Sequence, residues 1–157
     1  MLIYLDIDGV MVPANSWRKL EILKDGFPEF STRAVNALNK ILSKSNADIV
    51  LTTSHKHIYN LEEWISILKN RNINIETISR LPENKNHLNR KDELLNWFTD
   101  NNNLGKNFII IDDDKSLNSL PTVLKDKLIQ TSASVGLTDY LADETIKLID
   151  KLNFELV

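Results

Sequence analysis

Short, unbroken apolar runs alternate along this chain with stretches in which apolar residues recur every three or four positions. Leu2-Ile3-Tyr4-Leu5, Asp48-Ile-Val-Leu-Thr52, Phe108-Ile-Ile-Ile111 and Lys127-Leu-Ile-Gln130 are of the first kind. Their length and lack of alternation predict strands, the first three buried on both faces. The second kind predicts helices. Ser31 can cap one whose inner face carries Val35, Leu38, Ile41 and Leu42. Asn60 followed by Glu63 has capping-box spacing ahead of Leu61, Trp64, Ile65 and Leu68. Asn89 can cap a helix lined by Leu94, Leu95, Trp97 and Phe98, and Thr138 opens a last helix through Leu141, Ile146, Leu148 and Ile149. Ile73 and Ile75 alternate with Asn, which predicts a short edge strand. Met11 to Phe30, with Pro13, Gly26 and Pro28, reads as a long irregular flap. Strands alternating with helices imply an α/β fold, a mostly parallel central sheet covered on both faces.

Composition narrows this further. With 157 residues and 42% hydrophobic content, the expectation is one domain over residues 1–157. A net charge of −3 gives no global cationic field for wrapping nucleic acid, although a local basic loop remains open. Cysteine is absent, which excludes disulfides and thiolate metal sites and leaves carboxylates, hydroxyls and three histidines for any chemistry. No apolar run reaches membrane-span length, and the first strand begins at residue 2, so a cytoplasmic protein without membrane attachment or an obligate protein partner is expected.

The chemistry sits at the strand ends. The first strand runs into Asp6-Ile-Asp8-Gly9, the second into Thr52-Thr53-Ser54, and the third into Asp112-Asp113-Asp114. In a parallel sheet all three groups reach one edge, where ligands of open α/β sheets bind. Carboxylates this crowded need a cation, and hard oxygen ligands suit Mg²⁺, which in turn favours phosphate oxygens. A phosphorylated substrate is the natural third party. The hydroxyls after the second strand can hydrogen-bond a phosphoryl group, and Arg90 or Lys91, at a helix amino terminus, can balance its charge. Asp114 reads as a helix cap or surface charge.

These four blocks in this order, Asp6-x-Asp8-Gly9, Thr52-Thr53-Ser54, Arg90-Lys91 and Ile110-Ile111-Asp112-Asp113, resemble the haloacid-dehalogenase-like (HAD) superfamily of Mg²⁺-dependent phosphohydrolases, over nearly the whole chain. The resemblance implies a Rossmann-like three-layer sandwich in which Asp6 is the nucleophile that forms an aspartyl-phosphate. It makes Asp8 the general acid that protonates the leaving oxygen and then activates water. Mg²⁺ would be held by Asp6, the backbone carbonyl of Asp8, and Asp113 or Asp112. Thr53 or Thr52, and Arg90 or Lys91, would hold the phosphate.

Neither the interval between Asp8 and the second strand nor that from His55 to Asn89 has room for a cap domain. An open site suits substrates too large to enclose. The chain is similar to small capless HAD domains associated with RNA and DNA end repair, down to the Gly136-Leu-Thr138 turn. Those relatives often carry Trp and Arg where His55-Lys56-His57 stands here. Trp17, Arg18 and Lys19 in the flap could stack a base and hold a phosphate. His55 and His57 lie in a loop beside the predicted site; His87 reads as a surface residue. Besides a phosphatase for a nucleic-acid end or another large phosphorylated substrate, two readings stay open: a noncatalytic phosphate-binding or interaction module, and a phosphatase for a nucleotide or sugar phosphate. A phospho-accepting receiver domain is rejected, because the second main strand ends in Thr and not in a phospho-acceptor Asp.

Overall fold

The computed structural model describes residues 1–14, 19–100 and 103–155. Five parallel strands form one sheet in the order β3-β2-β1-β4-β5. In chain order the elements are β1 (Leu2–Leu5), α1 (Thr32–Ser45), β2 (Asp48–Leu51), α2 (Leu61–Lys69), β3 (Ile78–Arg80), α3 (Arg90–Asp100), β4 (Phe108–Asp112), α4 (Thr122–Lys125), β5 (Leu128–Gln130) and α5 (Asp139–Glu155). Two 3₁₀ segments, Asn103–Gly105 and Lys115–Ser119, complete it. No cap domain is inserted among the described residues, and no helix among them is long and apolar enough to cross a membrane.

Each central strand is buried on both faces, as its unbroken apolar run requires. Ile3, Leu5, Ile49, Leu51, Ile109 and Ile111 join α1, α2 and α5 in one core. Tyr4, Val50 and Ile110 join Leu94 and Phe98 of α3 in the other. On that second face Tyr4 meets Phe98 and Phe108 edge-on, and Trp97 Nε1 donates to its hydroxyl at 3.0 Å. The helix starts follow the sequence: Ser31 caps α1 through the Ala34 N–H, Asn60 and Glu63 form a reciprocal capping box on α2, and the Asn89 side chain accepts from the Asp92 N–H.

The expected edge strand at Ile73 and Ile75 is not there; β3 lies at Ile78–Arg80. Asn72, with φ +63°, turns the chain out of α2, and the Ile73 N–H bonds back to the Leu68 carbonyl, so Ile73 is a buried stop after the helix. A strand parallel to β2 must first return to the other end of the sheet, and residues 74–77 make that return. α5 packs Leu141, Leu148 and Ile149 on the core as expected, and also buries Ala142, Thr145 and Leu152, with the Thr145 hydroxyl satisfied by the Leu141 carbonyl at 2.7 Å.

The stretch read as a flap is anchored over its later half. Phe27 and Phe30 are buried, and Arg71 beyond α2 uses all five guanidinium N–H groups on that segment and its own helix. Nε donates to the Pro28 carbonyl, Nη1 to Asp25 Oδ2 and the Ile67 carbonyl, and Nη2 to Asp25 Oδ1 and the Phe27 carbonyl. Phe27 then packs edge-on against Trp64, Tyr59 and His55. Trp17 and Arg18 lie outside the described residues, and Lys19 is exposed.

The Arg71 guanidinium, helped by Asn70 and the Phe27 N–H, holds the Asp25 carboxyl well below the usual carboxylate range, outweighing partial burial. Arg71→Met therefore should cost about 3–5 kcal/mol at neutral pH, the scale of breaking a buried pair from one side. A carboxylate with a depressed folded pKa stabilises fully above its unfolded value, about 3.9, and loses that contribution as pH falls below it. Urea denaturation at pH 7 and near pH 3 checks both points: the penalty should shrink at the lower pH. An equal penalty at both would show that packing on Phe27 and Phe30 dominates.

Candidate functional site

Strand register builds the site. Leu5 pairs with Leu51 on one side and Ile111 on the other, so one step further sets Asp6, Thr52 and Asp112 abreast. The ladder continues into that row: the Thr52 N–H donates to the Leu5 carbonyl at 3.0 Å and the Asp6 N–H to the Ile111 carbonyl at 3.1 Å. Side chains alternate along a strand, so this row shares the face of Tyr4, Val50 and Ile110, the face covered by α3. Arg90, the first residue of α3, meets it there.

Behind Asp6 the chain doubles back, with the N–H groups of Val10, Met11 and Val12 all bonded to the Ile7 carbonyl. Gly9 adopts φ +78°, and the Asp113 carboxyl occupies the space a Cβ there would need. Only glycine lets that carboxylate come so close to the β1 turn. Gly136 (φ +79°) does the same from the other side: its hypothetical Cβ would lie 2.6 Å from the Val10 carbonyl oxygen. The Leu137 N–H and the buried Thr131 hydroxyl bond the Val10 and Gly9 carbonyls at 2.8 and 2.7 Å.

Asp6, Asp112 and Asp113 each bring a carboxylate oxygen within 4.8 Å of the others, the one such acidic group among the described residues. Burial, with the Asp112 carboxylate adding to it, pushes Asp6 up to about 8, against the pull of Arg90 and the Ile7 N–H. Burial likewise raises Asp112, opposed by Arg90 and by the Asp114 N–H. Two buried carboxylates that resist ionising together, Asp6 and Asp112, joined by the half-buried Asp113 in an all-oxygen donor set, fit a hard divalent cation such as Mg²⁺. Asp8 stands apart. Its side chain is 57% exposed, and Oδ2 meets His55 Nε2 at 2.8 Å.

Arg90 is the cation at the cluster. Nη1 spends both hydrogens, on the Thr52 carbonyl at 2.6 Å and on Asp112 Oδ2 at 3.2 Å. Nη2 lies 3.7 Å from Asp6 Oδ1, beyond hydrogen-bonding distance, and has no hydrogen-bond partner among the described residues. Two N–H donors are thus left facing the Asp6 side. Burial works against the Arg90 charge, and the carboxylates of Asp112, Asp6, Glu93 and Asp114 more than offset it. The ammonium of Lys91 forms no ion pair with a described residue, and its backbone N–H donates to the Ser116 hydroxyl.

Thr52 and Thr53 are both fully buried. The Thr52 hydroxyl has no hydrogen-bond partner among the described residues, an orphan that a phosphoryl oxygen would satisfy. The Thr53 hydroxyl accepts from the His55 N–H at 3.3 Å and keeps its own hydrogen to donate. His57 Nε2 contacts the Leu81 carbonyl at 3.0 Å, which ties two loops together. His87 is exposed with φ +52°, and Asp114 caps a 3₁₀ segment.

Two neighbours of the site carry no sequence signature. Lys56 Nζ donates to Glu93 Oε2 at 2.9 Å, with side chains 4% and 11% exposed, and Glu93 Oε1 lies 3.7 Å from Arg90 Nε. Only the spacing of Arg90 and Glu93, one helical turn, was available to suggest any of this.

No curated protein matches the sequence. Among solved structures, a hypothetical protein from Xanthomonas campestris shares 13% identity, covering 99% of this chain and 86% of that one, with a TM-score of 0.48. A protein described as a HAD superfamily (subfamily III A) hydrolase from Legionella pneumophila shares 18% identity at the same coverage, with a TM-score of 0.45. The family model for the HAD domain in Swiss Army Knife RNA repair proteins matches residues 2–142, a span that takes in all five strands and every residue of the acidic cluster. On that match the chain belongs to the HAD domain family of Swiss Army Knife RNA repair proteins, within the HAD-type hydrolases.

Proposed function

We propose that the protein is a Mg²⁺-dependent phosphomonoester hydrolase that works through an aspartyl-phosphate on Asp6. The observation that carries this is the pairing of a buried strand-end carboxylate with the two spare N–H donors of Arg90 Nη2. Asp6, Asp113 or Asp112, and the backbone carbonyl of Asp8 would hold the cation, which would neutralise the cluster and keep Asp6 ionised at neutral pH. Asp6 Oδ1 is already fixed by the Ile7 N–H at 2.9 Å, so the carboxylate is oriented before substrate arrives.

An Asp6 oxygen attacks phosphorus, the bond from phosphorus to the ester oxygen breaks, and that oxygen takes a proton from Asp8. Water then attacks the acyl phosphate with Asp8 as base, releasing inorganic phosphate and restoring Asp6. Arg90 Nη2 and the hydroxyls of Thr52 or Thr53 bind the phosphoryl oxygens through both steps. Division of labour follows from burial: the nucleophile is enclosed, whereas Asp8 is exposed where a leaving group departs.

The substrate we infer is a phosphorylated nucleic-acid end or another large phosphorylated molecule. No lid among the described residues closes over the carboxylates, and the family's other members belong to RNA repair proteins. A small-metabolite phosphatase would have to take its selectivity from phosphate contacts alone.

Asp6→Asn should abolish Mg²⁺-dependent hydrolysis of an aryl phosphate, and chelator should do the same to the wild type. Persistent turnover in either case would overturn the nucleophile and the metal together; a stable fold that binds phosphate and never turns over would favour the noncatalytic module. Asp8→Asn should slow esters with poor leaving groups far more than an activated aryl ester, and equal slowing would remove Asp8 as the leaving-group acid.

Without a lid, a polymer end gains contacts that a mononucleotide lacks, and base stacking alone is worth roughly 1–3 kcal/mol per base. A terminally phosphorylated oligonucleotide should exceed the matching mononucleotide in kcat/KM by about tenfold. Equal values, or a preference for a sugar phosphate, would contradict the polymer-end substrate and leave the phosphatase.

A further inference from the structure

Arg90 has a rival carboxylate behind it. Glu93 presents Oε1 3.7 Å from Arg90 Nε, and neither Nε nor Nη2 is tied down by a hydrogen bond to a described residue. Nε and Nη2 form the edge on which an arginine prefers to take a carboxylate with two parallel bonds. A free Glu93 would satisfy that edge and turn Nη2 away from Asp6. Its other oxygen, however, is already taken by Lys56 Nζ at 2.9 Å, in a pair sealed from water.

Lys56 is held in place to do this. Its carbonyl accepts from Trp64 Nε1 at 3.1 Å and from Arg80 Nη1 at 2.8 Å, and its N–H donates to the Thr53 carbonyl at 3.1 Å. The backbone is therefore fixed on the loop that follows β2, and the side chain runs inward to α3. Lys56 lines one cavity with Arg90 and Glu93, and there its ammonium is bound to Glu93, with 4% of the side chain exposed. A buried ion pair is a poor source of stability, so its presence beside the one cation at the acidic cluster calls for another role.

We propose that Lys56 is a positioning residue: by neutralising Glu93 it prevents that carboxylate from capturing Arg90, and so keeps the Nη2 edge turned toward Asp6 for the phosphoryl group. This rests on the phosphatase reading for its catalytic consequence and on geometry alone for the position of Arg90. It differs from a stabilising ion pair in one respect. Removing Lys56 harms the site because Glu93 remains, and removing Glu93 as well relieves the harm.

Steady-state kinetics with an aryl phosphate, inhibition by inorganic phosphate, and a crystal structure of Lys56→Met test it. Lys56→Met should raise KM and the inhibition constant of phosphate in parallel by about tenfold, the pattern of lost phosphate binding. Lys56→Met/Glu93→Gln should recover to within about threefold of the wild type. The Lys56→Met structure should show Arg90 Nε drawn from 3.7 Å to hydrogen-bonding distance of Glu93, with Nη2 moved off Asp6. A double variant as impaired as Lys56→Met, or an unmoved Arg90 in that structure, would overturn the proposal. Should Lys56→Met not fold, Lys56→Gln removes the charge while keeping a polar contact, and the same outcomes apply. If the wild type neither hydrolyses aryl phosphate nor binds inorganic phosphate, the phosphatase reading falls, and the position of Arg90 in the variant still decides this proposal.

Discussion

Two buried carboxylates, Asp6 and Asp112, lie within a few ångströms of each other and of the half-buried Asp113, and the architecture around them is arranged to contain that charge. Coulomb repulsion at such distances amounts to several kcal/mol even in a moderately polarisable surrounding. Burial pushes Asp6 and Asp112 toward their neutral forms, and Arg90 pulls them back. A divalent cation held there, as proposed, would favour the ionised form of Asp6. Everything that fixes Arg90 and the row of strand ends therefore bears on whether the site can work.

Arg90 sits where a cation is electrostatically least favoured, in the first turn of a helix whose amino end is itself partly positive. Four nearby carboxylates favour its charge and more than offset its burial. The arrangement also anchors one end of the guanidinium, because Nη1 is committed to the Thr52 carbonyl and Asp112 on the neighbouring strand ends. The parallel sheet and the helix that covers it thus meet at a single side chain. A lysine there would offer charge without the planar fork that commits Nη1 to the scaffold and leaves Nη2 near Asp6.

The sequence was most legible where the local pattern and the tertiary requirement coincide. The three central apolar runs could only be buried strands, and the caps at Ser31 and Asn60 announced α1 and α2. The strand-end aspartates announced the acidic cluster of Asp6, Asp112 and Asp113. Ile73 and Ile75 misled because a helix stop and a return loop mimicked alternation, and the true β3 is only three residues long. On α5 the apolar spacing found Leu141, Leu148 and Ile149 but not Thr145, which is buried because its hydroxyl bonds its own helix, something periodicity cannot register. Register was also beyond reach, and it is register that selects Asp6, Thr52 and Asp112 as one row. Arg71 with Asp25, and Lys56 with Glu93, are partners 46 and 37 residues apart, so no spacing rule could join them.

The central claim is that Asp6 is the residue that becomes phosphorylated. Acid quenching of the wild-type protein during turnover of a phosphate ester, followed by peptide mapping, tests it directly. The account predicts phosphate on Asp6 of the amino-terminal peptide in the presence of Mg²⁺ and none after chelation. Phosphate on Asp112 or Asp113 instead, or turnover with no phosphorylated peptide at any quench time, would contradict it.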